Sequence, residues 1–208
     1  IDEGDCVFRH DFQFSESEKL PIDYESRQSQ EDRKKLVPWL QKVIKEELTL
    51  PPLKESSNGI EAGTYFPRLH TDLHGFIDWS MQIHDLESFV LAFSIPYPGA
   101  STFLKGKRLR LFNCSIHDLR PMHPFTWGLI INFNHNRILV AVNGGVIKIC
   151  IEDTCFDEEA KSFVQGDRLI TPAKYIRRAI SSRAYFKPAG VLIKDFDVTS
   201  PSSEFNQK

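Results

Sequence analysis

The chain lacks any apolar run approaching the roughly 20 residues that a membrane-crossing helix needs, so no such helix is expected. Its first residues, IDEGD, are too acidic for the basic and then apolar pattern of a secretory signal. Cysteine is scarce. Cys6, Cys114, Cys150 and Cys155 are spaced too widely and irregularly for a disulfide framework, and none forms a C-x-x-C pair. Cys150 and Cys155 would supply half of a zinc site at most, so they read as reduced thiols and no metal is expected. A large excess of either charge sign is absent too, the formal net being −2. That balance hides an asymmetry. Residues 1–95 hold 10 Lys+Arg against 18 Asp+Glu, a net of −8, whereas residues 96–208 hold 16 against 10, a net of +6. A basic half attracts phosphate-bearing partners or is simply a solvated surface. What is present in quantity is core material: 41% hydrophobic and 12% aromatic residues in 208, enough for one large domain or two small ones. A soluble, cytoplasmic protein with no membrane partner is the expectation.

Along the chain, DCVFRHDFQF alternates Cys6, Phe8, Phe12 and Phe14 loosely with polar residues and predicts a strand, and SESEKLPIDYES predicts a loop. From Ser29 to Leu48, the residues Leu36, Trp39, Leu40, Val43, Ile44 and Leu48 recur at helical spacing, with Pro38 marking a kink or a later start. The segment from Thr49 to Ser80 carries Pro, Gly, Ser and Asn without periodicity and reads as a connector. DWSMQIHDLESFVLAF predicts a short helix capped by Asp78 or Ser80 and stopped by Pro96. From Thr102 the period becomes two: a hairpin around Lys105-Gly106-Lys107, three strands turned at NHN and NGG, and a last strand in DRLIT. TPAKYIRRAISSRAYF predicts a closing helix with Thr171 as cap and Pro172 as first residue, and DVTSPSSEFNQK a tail.

Four stretches, IDEGDCV, GFIDWS with its amphipathic helix, FVLAFSIPYPGAST and WGLIINFNHNRILVAVNGGVIKI, stand in the order seen in 10-formyltetrahydrofolate-dependent formyltransferases. The chain resembles the C-terminal portion of such an enzyme, similar to methionyl-tRNA formyltransferases and to sugar-amine formyltransferases. The resemblance implies an α+β fold. Residues 1–50 would be the C-terminal remnant of a Rossmann-like catalytic domain and 51–97 a connector with a short helix. Residues 98–190 would form an OB-like β-barrel, and 191–208 a tail.

In that family the catalytic groups are an Asn, a His and an Asp, and the Asp opens a D-x-G turn. Asp2, Glu3 and Gly4 match that turn, which makes Asp2 the catalytic aspartate and Gly4 its turn residue. Taken alone, DEGD also reads as an acidic turn at a domain edge. The Asn and His belong to an earlier segment, and none of the seven histidines here sits in its His-x-Ser-x-Leu-Pro context. The resemblance therefore implies a chain that starts partway through the catalytic domain and is inactive alone. Formyl transfer to an amine passes through a tetrahedral oxyanion, which requires aimed donors and a group to handle the amine proton. An orienting aspartate supplies neither, and such groups act as a unit.

On the acceptor side the resemblance points to Tyr65, Arg68 and Trp79. Arg68 would fork onto phosphate and Trp79 would stack on a base; otherwise Trp79 is a core anchor and Arg68 a solvated linker charge. Lys105, Lys107, Arg108 and Arg110 cluster on one hairpin, and Arg177, Arg178 and Arg183 on one helix, as a basic face for tRNA or as a solvated barrel surface. Arg108 and Arg110 share one side of their strand. His70 and His74 could share a helix face, but two ligands without a third make no metal site. Leu91 stands where family members often carry Arg. The expected function is that of a formyltransferase moving a formyl group from 10-formyltetrahydrofolate, its donor, to a primary amine on methionyl-tRNA or on a nucleotide-linked amino sugar. The rival is a stand-alone β module that binds nucleic acid or nucleotide without catalysis.

Overall fold

The structure, a computed structural model, describes residues 7–45, 47, 67–134, 136–151 and 163–196, and the chain divides into two units, 1–66 and 67–208. Asp2, Gly4 and Tyr65, most of the connector and the tail from Asp197 onward lie outside the described residues.

In the first unit one helical rod runs from Pro21 to Ile44. Its first part, α1 (Pro21–Glu31), begins inside the expected loop. Pro21 brings a preset φ and needs no N–H in the first turn. The Asp23 carboxylate reaches back to accept the N–H groups of Leu20 at 3.0 Å and Lys19 at 3.2 Å. Further along, Pro38 has no N–H to donate, and its ring crowds the carbonyl four residues earlier. The rod accommodates this by widening: Asp32–Leu36 form a π turn, in which Val37 N–H donates to Asp32 O, and α2 (Val37–Ile44) follows without a break. The helix expected through Leu48 stops at Ile44.

The expected first strand is not one. Residues 7–15 form no helix or ladder, and the described part of this unit holds no second strand to pair with. Their period of two appears in packing instead. Phe8 lies against Trp39 at 4.9 Å, His10 Nε2 is 3.2 Å from Glu31 Oε2, and Phe14 meets Tyr24 edge-on at 4.7 Å. Glu31 is only 7% exposed, with Arg27 at 3.4 Å and Lys34 at 3.5 Å on its other oxygen. The hydrogen bond with His10, helped by Lys34 and Arg27, outweighs burial and holds the Glu31 carboxyl below its ordinary 4.5.

The second unit opens with a single turn, α3 (Thr71–His74), and the helix α4 (Ile83–Ala92), whose Ile83, Leu86 and Val90 are buried at helical spacing. Asp78 does not cap α4. Its Oδ1 accepts from the N–H of Ser80 at 2.9 Å and the hydroxyl at 2.7 Å, closing the turn before the helix. Then come β1 (Ala100–Leu104), β2 (Lys107–Leu111), β3 (Cys114–Asp118), β4 (Ile130–Asn134), β5 (Arg137–Val142), β6 (Gly145–Cys150) and β7 (Leu169–Ile170). Lys105 and Gly106 turn β1 into β2 with φ of +49° and +81°, as a two-residue primed turn requires. The chain ends, as described, in α5 (Ala173–Ser181) and a hairpin of β8 (Ser182–Lys187) with β9 (Gly190–Asp195). The closing helix thus stops at Ser181. SRAYF is a strand, and its partner takes in residues expected in the tail.

All ladders are antiparallel, in sheets ordered β2-β1-β7, β3-β6-β5-β4 and β8-β9. The first two sheets are stitched along one side by backbone bonds around Gly128. Its N–H donates to Ala141 O at 2.8 Å, its carbonyl accepts from Leu169 N–H at 2.8 Å, and Ile130 N–H donates to Asp167 O at 2.8 Å. A Cβ at position 128 would stand 2.3 Å from Leu169 O, so only glycine fits there. On the other side β2 runs into β3 through Phe112 and Asn113 without a ladder between the two strands among the described residues. The expected OB-like barrel is therefore a curled pair of sheets that does not close. Leu86, Leu109, Ile130, Val140, Ile147 and Leu169 fill the space between the sheets and α4, each contributing about 1.5–3 kcal/mol. No helix among the described residues is long and apolar enough to cross a membrane.

Candidate nucleic-acid interface

Trp79 is an anchor in the core. It follows the Asp78–Ser80 turn, is 8% exposed, and its indole N–H donates to Thr102 Oγ1 at 2.9 Å. Thr102 is fully buried, and its oxygen also lies 3.3 Å from Thr171 Oγ1. Leu91 is buried on α4, in keeping with its apolar character. Arg68 is exposed, with its guanidinium 5.0 Å over the Phe186 ring of β8.

The hairpin cations divide. Strand β2 alternates, so Leu109 and Leu111 point into the core while Arg108 and Arg110 share the outer face, as the spacing predicts. Both then turn onto Asp72 of α3, Arg110 at 2.7 Å and Arg108 at 3.1 Å. Arg108 also donates to Ser101 Oγ and lies 4.9 Å over the Phe76 ring, and Arg110 donates to Pro98 O at 3.2 Å. Burial works to raise the Asp72 carboxyl; the bonds and charges of Arg110 and Arg108 overcome it and hold the group below its ordinary value. These two arginines tie α3 to β2. Lys105 and Lys107 stay at the exposed turn, Lys105 with its ammonium 2.8 Å from Asp167.

A larger concentration of positive charge lies further on. Between Arg168 and Lys194 the sequence has seven Lys and Arg and no Asp or Glu. Arg168 is committed to structure, donating to Trp127 O at 2.8 Å and Phe125 O at 2.6 Å. On α5, Tyr175, Ile176 and Ala179 are half-buried, and Lys174, Arg177 and Arg178 fall on the exposed side of the turn. Arg177 borders a depression of about 410 Å³ with Trp127 and Trp79, and Arg178 a smaller one of about 210 Å³ with Arg108 and Phe76. In the hairpin, Arg183 stands opposite Lys194 and Tyr185 opposite Leu192 on one face. Like charges placed directly across a ladder repel. Here each has a ring beside it, Arg183 at 4.9 Å from Phe196 and Lys194 at 5.6 Å from Tyr185. Cations interleaved with aromatic rings suit phosphates and bases. Of these residues the sequence reading singled out Arg177, Arg178 and Arg183 and expected them on one helix, but α5 ends at Ser181 and Arg183 lies on β8; Lys174, Lys187 and Lys194 went unremarked, and the run without acids was the signal that could have found them.

Burial pushes the Cys114 thiol up to about 12, so it stays protonated and unreactive at neutral pH. His74 is occupied, its Nδ1 accepting from His70 N–H at 2.8 Å. No group of three or more His, Cys, Asp or Glu among the described residues is placed to hold a metal.

Residues 71–167 match the model of the formyl transferase C-terminal domain. Two curated relatives are methionyl-tRNA formyltransferases. That of Caldicellulosiruptor saccharolyticus is 26% identical over 149 residues, 72% of this chain and 45% of that protein. That of Dictyoglomus turgidum is 35% identical over 85 residues, 40% of this chain and 26% of that protein. The chain matches less than half the length of either relative. Among solved structures, a variant of HypX from Aquifex aeolicus is 21% identical with a TM-score of 0.40, covering 55% of this chain and 18% of that one, which adds nothing to the sequence matches. Helix α5 and the β8–β9 hairpin lie beyond the residues that match that domain model. Residues 71–167, just under half of the chain, thus carry the pattern of a formyl transferase C-terminal domain, in line with the resemblance seen in the sequence.

Proposed function

We propose that the chain is the acceptor-binding part of an enzyme that transfers a formyl group from 10-formyltetrahydrofolate to the amine of methionyl-tRNA. The observation that carries the acceptor is the acid-free run from Arg168 to Lys194, folded into α5 and a hairpin that both expose cations. The two relatives named above support the same choice. Phosphate contacts from Lys174, Arg177, Arg178, Lys187 and Lys194 would orient the RNA without reading its sequence, with Lys105, Lys107 and Arg68 at the margins. In this reading Asp2 is the catalytic aspartate and Gly4 its turn residue, Tyr65 lies on the acceptor side, and the oxyanion donors belong to sequence outside the 208 residues. The chain alone is then inactive.

The test is binding of tRNA at a series of salt concentrations. With three to six phosphates neutralised, log affinity is expected to fall with log salt at a slope of about −3 to −5. A flat response between low and moderate salt would overturn the RNA acceptor. Formyl transfer by the full-length protein, offered methionyl-tRNA and amino-sugar nucleotides side by side, then identifies the amine.

A further inference from the structure

The geometry points to a site for one unpaired nucleotide of the bound RNA in the depression between the β1–β2 turn and the start of α5. This inference rests on the RNA-acceptor reading above and deepens it. The depression measures about 350 Å³ and is floored by Phe103, Ile170, Pro172 and Tyr175. That volume lies at the lower end of ordinary ligand sites. Lys105, Lys174 and Arg168 line the same depression.

Three features distinguish it from a solvated dent. Tyr175 is fixed in place, stacked at 4.6 Å on Phe76 and 4.9 Å on Phe103, so an incoming base meets a ring that loses little freedom on binding. Ile170, on the two-residue strand β7, is 53% exposed within a cationic surface, which leaves an aliphatic patch where a flat apolar ring would cover it. Two ammonium groups flank that patch. Lys174 Nζ is 5.1 Å from the Tyr175 ring centroid, and Lys105 Nζ is on the opposite turn, more than half exposed. The Asp167 carboxylate is occupied by Lys105 and by the N–H of Val164 at 3.0 Å, so it does not repel a phosphate as a free acid would.

The same composition says what kind of nucleotide fits. A base must be splayed out of a helix before its face can lie on Tyr175, so paired RNA is excluded. Among the described residues the lining offers no Asn, Gln, Ser, Thr or carboxylate side chain to read a base edge. Recognition is therefore by stacking and charge, tolerant of base identity, and draws most of its affinity from the rest of the RNA. A free nucleotide shares the base and the phosphate but lacks those further contacts.

The experiment uses the whole chain and single-stranded RNA of about ten nucleotides carrying 2-aminopurine. Its controls are a blunt duplex of the same length and a free nucleoside diphosphate. Binding is expected to quench the 2-aminopurine, and the free diphosphate to compete only weakly. Tyr175→Leu is expected to lower single-strand affinity about tenfold, leaving duplex affinity and the salt slope unchanged, whereas Tyr175→Phe keeps wild-type binding. Absence of quenching by the wild-type chain at a normal salt slope overturns this site and leaves the acceptor reading standing. So does equal loss on both RNAs in Tyr175→Leu, or a free diphosphate that binds as tightly as the strand. Failure to bind any RNA overturns both. Because the quenching is read on unaltered protein, the inference remains testable even if the Leu variant does not fold.

Discussion

Replacing Trp79 by Phe separates a core anchor from an acceptor contact. The substitution removes the indole N–H that Thr102 Oγ1 accepts at 2.9 Å in a site closed to water. Losing one partner of a buried hydrogen bond costs about 1–3 kcal/mol, and the smaller ring adds a void worth about 1 kcal/mol more. For a domain of this size each kcal/mol lowers Tm by about 4 °C, so a fall of about 8–16 °C is expected in a thermal scan followed by circular dichroism. Thr102→Val removes the acceptor instead. The double variant is then expected to fall short of the sum of the single variants by about 1 kcal/mol, the coupling across that bond. RNA affinity of the folded Phe variant should match wild type. A Tm within about 2 °C of wild type together with weakened RNA binding would refute the anchor and return Trp79 to the acceptor side.

Two further outcomes follow from the geometry. Because Glu31 is held below its ordinary 4.5, its contribution is complete near neutral pH and disappears as pH falls through that value and below. Helical signal at acid pH should therefore be lost more steeply in the wild type than in Glu31→Gln, and superimposable acid titrations would rule Glu31 out as the source. Gly145→Ala would place a Cβ 2.0 Å from Asp118 O, where β3 and β6 shift register, and is expected to destabilise the second unit by about 3 kcal/mol or more in urea titration. Gly106→Ala, with nothing within 4 Å, should cost only about 1 kcal/mol through its positive φ. Equal losses at the two positions would contradict the close approach at Gly145.

Strands β1, β2 and β4 to β6 were legible because two signals coincided, side chains alternating with period two and turns carrying Lys105-Gly106 and Asn143-Gly144, where positive φ is allowed, whereas β3 was read as the continuation of the hairpin's second arm. The start of α1 was not. PIDYES has no apolar stripe, and its helix is set by a proline and a reaching carboxylate rather than by burial. Phe8 and Phe14 misled in the opposite way, since period two reports alternate facing and cannot say whether the surface faced is a sheet or a helix. The shared face of Arg108 and Arg110 was visible locally, but their partner Asp72 lies 36 and 38 residues earlier, a pairing only the fold creates. Asp2, Gly4 and Tyr65 lie outside the described residues, and their roles rest on resemblance.

The seam at Gly128 has a further consequence for inheritance. Its joints are made by peptide groups, which every residue shares, so side chains in the interior can drift without moving the thread that leads through β7 into α5. A surface hung from such a thread keeps its place while the matter beneath it is rewritten, and at this seam the letter that must not change is one with no side chain to lose.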